Sequence, residues 1–300
     1  MEHRSFQDEM SRNRRDSVLL IIVVSLVLMG LIVTIGYLWD PSSLLIVVPL
    51  GVIFVIIYSW SSYQYGDQVV LSSTGARPAE GAQYTYLNNT VEGLAIAAGI
   101  PKPKTYIVPN NELNAFATGK DPEHASIAVT SGLLQAMNRQ ELEGVIAHEM
   151  SHIRNRDIEF MTLVAVLVGL AGILSHMILR TYWWGGGRRR DREKGGNLTI
   201  LIIIAGFILA IFAPLATRIV QLAISRRREY LADASGAELT RYPDGLADAL
   251  EKIKNYNKGN MNVSESVSHL FISDPNRSPL DAIFATHPPI EERIKRLREM

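Results

Sequence analysis

The sequence predicts a mainly helical, multi-pass membrane protein that has about four transmembrane helices and a small β-sheet. Long uncharged runs support this prediction, because each is long enough to cross a hydrocarbon layer of about 30 Å. Of the 300 residues, 47% are hydrophobic, and the mean hydropathy is +0.10. These apolar residues are concentrated in the runs, and short strand-like segments between the second and third runs predict the sheet.

The first two runs predict a transmembrane hairpin. Val18–Leu38 and Ser42–Trp60 are uncharged and are separated only by residues 39–41. At a rise of about 1.5 Å per residue, each helix can span the bilayer, and Trp39 and Trp60 can anchor at the interface. The alternative for the first run is a secretory signal peptide, but no small-residue cleavage site follows it.

Two later runs, 161–184 and 198–217, predict a second hairpin, with Arg180 and a Gly/Arg-rich loop at 185–196 around the link. The alternative is a buried hairpin in a soluble domain, so full spanning by this pair stays open. His176 lies inside the third run, where an ionisable group is costly. We interpret it as a neutral, hydrogen-bonded packing residue.

The distribution of basic residues predicts a cytoplasmic N-terminus. Four arginines lie between residues 4 and 15, before the first run, whereas no basic residue follows that run in the link 39–41. Paired crossings would then return both polar segments, 61–159 and 218–300, to the cytoplasmic side. The basic loop 185–196 would lie outside, which is the one observation against this scheme.

Charge and cysteine content exclude several classes of function. Thirty Lys and Arg residues balance thirty Asp and Glu residues, so no global basic field would attract nucleic acid. We expect neither nucleic acid nor a nucleotide as a partner. The absence of cysteine excludes disulfide bonds, iron-sulfur clusters, thiol nucleophiles and Cys-ligated zinc. A metal ion must therefore be held by histidines and carboxylates.

The polar segment after the first hairpin predicts one helix and three strands. The helix spans Tyr84–Ala98 and ends at Gly99, since two prolines follow shortly afterwards. The strands are bounded by turn residues and are expected at Lys104–Val108, Ala115–Thr118 and Ser126–Thr130.

The next helix is predicted to begin at Asn138, because Glu141 follows at the spacing of a capping box. It carries the pattern H-E-x-x-H from His148 to His152. Residues four apart lie on one helix face, so both imidazoles can bind one zinc ion. Glu149 lies on an adjacent edge, where it can act as the general base that activates water. The alternative is that the histidines merely fill a helix face.

A catalytic zinc ion needs a third protein ligand and one open position. Glu229 and Asp233 lie four residues apart in the charged segment after the fourth run. One helix face can therefore offer a ligand carboxylate and a second carboxylate that orients a ligand histidine. The alternative is a solvated helix face with Arg/Glu pairs, which would be preferred if H-E-x-x-H were absent.

The H-E-M-S-H motif at 148–152, the segment S-R-R-R-E-Y-L-A-D at 225–233 and the four apolar helices in this order resemble the HtpX family of membrane zinc endopeptidases. The resemblance covers essentially the whole chain. It implies that one catalytic Zn²⁺ is bound by His148, His152 and Glu229. It also implies that Glu149 is the catalytic base and that Asp233 orients a ligand.

The resemblance further implies a zincin-like catalytic domain and ATP-independent cleavage of misfolded or damaged membrane proteins or unfolded polypeptides. The expected location is the bacterial cytoplasmic (inner) membrane, with the catalytic domain on the cytoplasmic side. The prenyl-protein CAAX proteases are related, but the smaller membrane part of this chain argues against their enclosed architecture. The substrate class follows from the resemblance alone.

The expected organisation has four parts. Residues 1–60 form the N-terminus and the first hairpin, and residues 61–160 form the first part of the catalytic domain, with the H-E-x-x-H helix. Residues 161–217 form the second hairpin. Residues 218–300 form the second part of the catalytic domain, which supplies the third ligand.

Two further elements are similar to parts of related zinc peptidases. Asn114-Ala115-Phe116 resembles an edge strand to which an extended substrate adds through main-chain hydrogen bonds; the alternative is a simple core strand. His287 resembles the histidine of a C-terminal H-P-P element and would stabilise the oxyanion of the transition state. A surface histidine before a proline turn is an equal alternative.

Two rival functions remain. One is a non-catalytic zinc-binding scaffold or adaptor in the membrane, which would not need Glu149 as a base between its two histidines. The other is a metal-dependent membrane hydrolase that acts on a non-peptide substrate.

Overall fold

Two long helices that pack against each other form the N-terminal part of the protein. In a computed structural model, α1 spans Phe6–Trp39 and α2 spans Leu44–Ser73. A short 3₁₀ turn at Pro41–Ser43 joins them, and the Asp40 carboxylate caps it by accepting the Ser42 N–H at 3.0 Å. The predicted first hairpin is therefore present as two antiparallel helices. The structure describes residues 6–167, 226–276 and 288–300.

Within those described ranges, Pro41–Ser73 is the one segment whose length and composition would allow it to cross a membrane. Its side chains include Leu45, 86% exposed, and Ile46, 67% exposed. Apolar side chains exposed to this extent are typical of a surface covered by lipid or by another protein. Of the second predicted hairpin, 161–217, the structure describes only residues 161–167; the rest, including His176, lies outside the described residues.

The second helix is longer than predicted. It continues past Trp60 to Ser73, so the expected boundary at residue 60 falls inside α2. The sequence loses its apolar character at this point, but no proline or glycine pair follows Trp60 within α2, so the helix continues. The added turns bury Val70 and Leu71 against the soluble part.

A four-stranded sheet has the order β1-β2-β4-β3. β2 and β4 are parallel, whereas β3 is antiparallel to β4 and lies at the edge. The three predicted strands are confirmed with their predicted bounds. β1 was not predicted, because two residues are too short to show an alternating pattern. The strands span Arg77–Pro78 (β1), Lys104–Val108 (β2), Ala115–Thr118 (β3) and Ser126–Thr130 (β4).

The predicted helices of the polar segment are also confirmed. α3 spans Thr85–Ala98, and Gly99 follows it in the left-handed conformation, at φ 68°. α5 spans Arg139–Arg154, and its capping box is complete: Asn138 and Glu141 each accept the other's backbone N–H. The remaining helices are α4 (Ser131–Ala136), α6 (157–167), α7 (Arg226–Thr240), α8 (Pro243–Tyr256), α9 (Glu265–Ser268) and α10 (Ile290–Arg298).

α5 lies at the centre of the part of the structure that follows α2, with α7 and α8 packed on it. Glycines allow these close approaches. A Cβ atom at Gly236 of α7 would lie 3.0 Å from the backbone nitrogen of His148. A Cβ atom at Gly144 of α5 would lie 2.6 Å from the backbone nitrogen of Leu246 in α8. The backbone of α7 is thereby held against the turn of α5 that carries the H-E-x-x-H pattern.

α6 connects α5 to the N-terminal hairpin formed by α1 and α2. Its side chains Leu163 and Val164 are buried in one apolar cluster with Leu20 and Val24 of α1 and Val55 of α2. The expected boundary at residue 160 therefore falls inside α6. The H-E-x-x-H helix is thus followed, after a two-residue turn at 155–156, by a helix packed on the N-terminal hairpin.

Candidate metal centre

α5 and α7 bring three candidate ligands together. Nε2 of His148 and Nε2 of His152 are 3.2 Å apart, and the Glu229 carboxylate lies 3.8 Å from the first and 3.6 Å from the second. Two atoms bound at about 2.0–2.2 Å to a tetrahedral ion are about 3.3 Å apart. The three residues are buried, and their ligand atoms lie within 4.8 Å of one another. They form a candidate site for one metal ion.

The other nitrogen of each imidazole faces a carboxylate. Nδ1 of His148 lies 2.9 Å from Asp233, and Nδ1 of His152 lies 3.0 Å from Asp157. A carboxylate only accepts, so each Nδ1 carries the hydrogen. In the neutral rings, both Nε2 lone pairs then point toward each other and toward Glu229. A metal ion at their meeting point would bind both lone pairs and the Glu229 carboxylate, so the donor set fits a metal ion.

The pKa values of the two histidines agree with this interpretation. Burial lowers the pKa of His148, an effect that the hydrogen bond to Asp233 only partly opposes. Burial also acts to lower the pKa of His152, but Asp157 and Glu229 together raise it to about 9. A proton on His152 therefore supplies positive charge between the rings when the metal is absent, and a metal ion must displace it.

Glu149 lies beside these ligands on α5 and is 1% exposed. Burial raises the pKa of its carboxyl to about 7, although the charge of His152 and the Ala117 N–H act to lower it. Among the described residues, its Oε1 has no hydrogen-bond partner. A carboxylate with a pKa near neutrality is suited to accept a proton and to release it again.

Arg293 of α10 is a central residue that sequence reasoning did not single out. It is 1% exposed and forms two hydrogen bonds with the Asp233 carboxylate, at 2.9 and 2.7 Å. Its Nη1 also lies 3.5 Å from Glu229. Burial alone would raise the pKa of Asp233, but Arg293 and then His148 lower it to about 2. Arg293 therefore keeps Asp233 ionised, as the contact with His148 requires.

Asp157 was also missed by the sequence analysis. It follows His152 by five residues, at the start of α6, and is 2% exposed. Its other oxygen lies 3.8 Å from Arg228 Nε. The available signal was the acidic residue Asp157 directly after the helix that carries His152. A tight turn can bring a residue at this spacing back to the histidine.

The predicted substrate residues Asn114, Ala115 and Phe116 lie at the sheet edge beside the centre. β3 packs against α5, and the Ala117 N–H interacts with Glu149. Asn114 and Phe116 are fully buried at 0% exposure. The structure thus places this edge next to the candidate base. His287, the predicted oxyanion stabiliser, lies outside the described residues.

Comparisons with known proteins agree with this arrangement. Residues 82–300 match peptidase family M48. Protease HtpX homologs are 48% identical in Caldanaerobacter subterraneus subsp. tengcongensis and 50% identical in Thermoanaerobacter pseudethanolicus, each over 100% of this chain and 99% of the relative. A Protease HtpX homolog of Streptococcus pneumoniae is 44% identical over 98% of this chain and 99% of its own length.

A solved structure shows a similar fold. The crystal structure of S. mikatae Ste24p matches 96% of this chain and 67% of its own chain, with a TM-score of 0.50 and 17% sequence identity. The full-length similarity to the HtpX homologs and the family match rest on most of the sequence and include both ligand helices. The chain therefore belongs to the HtpX family of metalloproteases, within peptidase family M48.

Proposed function

We propose that this membrane-associated metalloprotease is a zinc-dependent endopeptidase that cleaves misfolded or damaged membrane proteins. Its proposed location is the bacterial cytoplasmic membrane, with the catalytic domain on the cytoplasmic side. The similarity to HtpX homologs and the exposed apolar surface of α2 support the membrane setting. The observation that supports the chemistry is the convergence of two histidines, Glu229 and a buried Glu149 with a raised pKa.

In this proposal, His148, His152 and Glu229 hold one Zn²⁺ ion. When bound, the ion acts as a Lewis acid that polarises the substrate carbonyl and lowers the pKa of water. Asp233 and Asp157 fix the imidazole tautomers that present Nε2 to it. Arg293 keeps Asp233 in the charged form.

Glu149 is the proposed general base. Burial raises the pKa of its carboxyl, which suits it to accept the proton of the attacking water and to return that proton to the leaving amine. Burial excludes bulk water, which would otherwise stabilise the carboxylate and weaken it as a base. A site that only bound a metal ion would have no need of this buried acid.

The substrate is proposed to bind as an extended strand on β3. An edge strand offers unpaired main-chain groups to another polypeptide, irrespective of its sequence. This mode favours unfolded segments, because folded proteins have already paired their backbone groups. It therefore fits a role in removing misfolded proteins.

The test compares Glu149→Gln with Glu143→Gln, a control on a half-buried position of the same helix. Purified full-length protein in detergent is assayed for zinc per chain and for cleavage of casein and of a detergent-solubilised membrane protein. Glu149→Gln should retain zinc and lose more than about 99% of turnover, since it removes the base and keeps every ligand. Glu143→Gln should behave as wild type.

Two outcomes would count against the proposal. If Glu149→Gln keeps more than a few per cent of activity, the general base is another group. If the wild-type protein with zinc cleaves neither substrate, the chain acts as a zinc-binding adaptor or on a non-peptide bond.

A further inference from the structure

A short segment of the chain itself lies along the outer edge of β3. Phe271 pairs with Phe116 as an isolated antiparallel bridge, and their rings are 4.8 Å apart between centroids. The N–H of Ile272 donates to the carbonyl of Ala115 at 2.9 Å. The segment Phe271–Ser273, here called the edge segment, therefore binds β3 as an extra strand would.

Asn114 strengthens this attachment through its side chain. Its Nδ2 donates to the carbonyl of Ser273 at 2.9 Å, and its Oδ1 accepts the N–H of Ser273 at 3.3 Å. Both hydrogen bonds of the Asn114 side-chain amide are made to main-chain atoms of Ser273. Any extended polypeptide could therefore form the same two bonds. Two of the three sequence-predicted substrate residues, Asn114 and Ala115, are thus occupied by the edge segment.

The edge segment also reaches the metal centre. The carbonyl of Ile272 accepts a hydrogen bond from Arg293 Nη1 at 2.9 Å. The same guanidinium binds Asp233 and lies 3.5 Å from Glu229. Arg293 is therefore the single side chain that lies between a strand on this edge and the proposed metal ligand Glu229.

Only one strand can use this edge at a time. The main chain of Asn114 faces β4, because its carbonyl accepts the Thr130 N–H at 2.9 Å. Since main-chain groups alternate along a strand, those of Ala115 point away from the sheet, toward the edge segment. A substrate strand that paired with Ala115 would have to replace Ile272.

The side chains of the edge segment are apolar and buried. Phe271 is 1% exposed and Ile272 is 2% exposed, in two different apolar clusters. Their displacement alone would expose this surface to water, which is unfavourable. A competing strand with apolar side chains of its own would offset that cost, and such stretches are exposed in unfolded proteins.

We propose that the edge segment is an internal competitor that occupies the substrate-binding edge of β3 in the resting enzyme. Cleavage requires an extended polypeptide to displace Phe271–Ser273 from Ala115, Asn114 and Arg293. This inference rests on the proposed function of the site as a peptidase that binds substrate on β3. It adds that the resting protein is self-inhibited and favours substrates with adjacent apolar residues.

The first experiment compares Ser273→Pro with Ser273→Ala. Proline removes the N–H that donates to Asn114, and it favours an extended Ile272 before it, whereas alanine retains both main-chain bonds. Ser273→Pro should lower KM for casein about fivefold with kcat unchanged, the factor expected for one net hydrogen bond. Ser273→Ala should match wild type. An unchanged or raised KM in a Ser273→Pro protein of normal Tm would overturn the proposal.

The second experiment does not depend on the folding of a proline variant. Hydrogen exchange is measured on full-length, zinc-loaded Glu149→Gln in detergent, with and without casein above its KM. The amides of Ile272 and Ser273 should exchange severalfold faster with casein, whereas those of β2 should not change. Unchanged or slower exchange would refute displacement, even if wild-type protein cleaves casein. A wild-type protein that does not cleave casein would instead refute the proposed function.

Discussion

Each proposed histidine ligand has its own carboxylate. Asp233 contacts Nδ1 of His148 and accepts hydrogen bonds from Arg293, whereas Asp157 contacts Nδ1 of His152 and lies near Arg228. Each ring is therefore oriented by a different carboxylate. This arrangement separates residues that would bind the ion from residues that only orient a ligand.

Glu229→Gln and Asp233→Asn should therefore fail in different ways. Glu229→Gln replaces an anionic ligand with a weak neutral one, so zinc affinity and activity should be lost together. Asp233→Asn keeps all three ligands and weakens one orienting hydrogen bond, which typically costs about 10-fold to 100-fold in metal affinity. Zinc titration against activity measures both, and added zinc should partly rescue only Asp233→Asn.

The converse result is informative as well. Wild-type zinc affinity in Glu229→Gln would mean that another residue supplies the third ligand. Glu238, on the same helix α7, is the matched control for a carboxylate outside the centre, and Glu238→Gln should leave zinc affinity unchanged.

The ligand pattern was predictable from the sequence because it is local. His148, Glu149 and His152 lie within two turns of one helix, so their spacing alone specifies the geometry. Arg293 meets Asp233 only through the packing of α10 on α7, and no local pattern encodes that contact. A charged residue on the otherwise apolar face of α10 was the available signal, since Ile294 and Leu297 pack into the core on this face.

At the level of elements, the position of α7 depends on Gly236. Glu229, Asp233 and Gly236 lie on one face of α7, and a Cβ atom at Gly236 would lie 3.0 Å from the backbone nitrogen of His148. Because Gly236 has no side chain, α7 can lie close to α5. This close approach determines how near Glu229 and Asp233 come to the histidines. The same close contact makes this helix pair sensitive to one added methyl group.

Gly236→Ala should lower zinc affinity while sparing the fold. The new Cβ must push α7 away from α5 by a few tenths of an ångström, whereas alanine favours a helix by about 1 kcal/mol over glycine. We expect a loss of zinc affinity of the order of tenfold, measured by chelator competition, with little change in Tm. Gly93→Ala in α3 is the control, because no atom lies within 4 Å of its new Cβ. Equal zinc affinity in the two variants would contradict this account.

Helices and strands with strong local signals were predicted well. The capping box at Asn138, the left-handed Gly99 and the turn residues that bound three strands each specify where an element begins or ends, and the structure confirms these bounds. The end of α2 was predicted too early, because hydropathy shows where the sequence stops being apolar and not where the helix ends. The edge segment had no signal, since isolated bridges depend entirely on tertiary packing.

For the whole molecule, residues 61–159 and 226–276 must lie on one side of the membrane if they share one metal ion. The absence of native cysteine allows a direct test with single cysteines at Ser42, Ser73 and Ser264, which are all exposed. In intact cells, a membrane-impermeant maleimide should label Ser42→Cys alone. Ser73→Cys and Ser264→Cys should react only after permeabilisation.

A split result would refute the shared side. If Ser73→Cys and Ser264→Cys differ in intact cells, His148 and Glu229 cannot meet at one ion. Labelling of both without permeabilisation would reverse the predicted orientation but leave the site intact.

The centre combines α5 with α7, and these helices are made at different times. A ribosome that adds about 5–20 residues per second needs several seconds to extend the chain from His152 to Glu229. During that interval the growing polypeptide carries H-E-x-x-H with two of the three proposed ligands. If all three proposed ligands are required, we expect the nascent chain to be inactive until the later helix has been synthesised and packed.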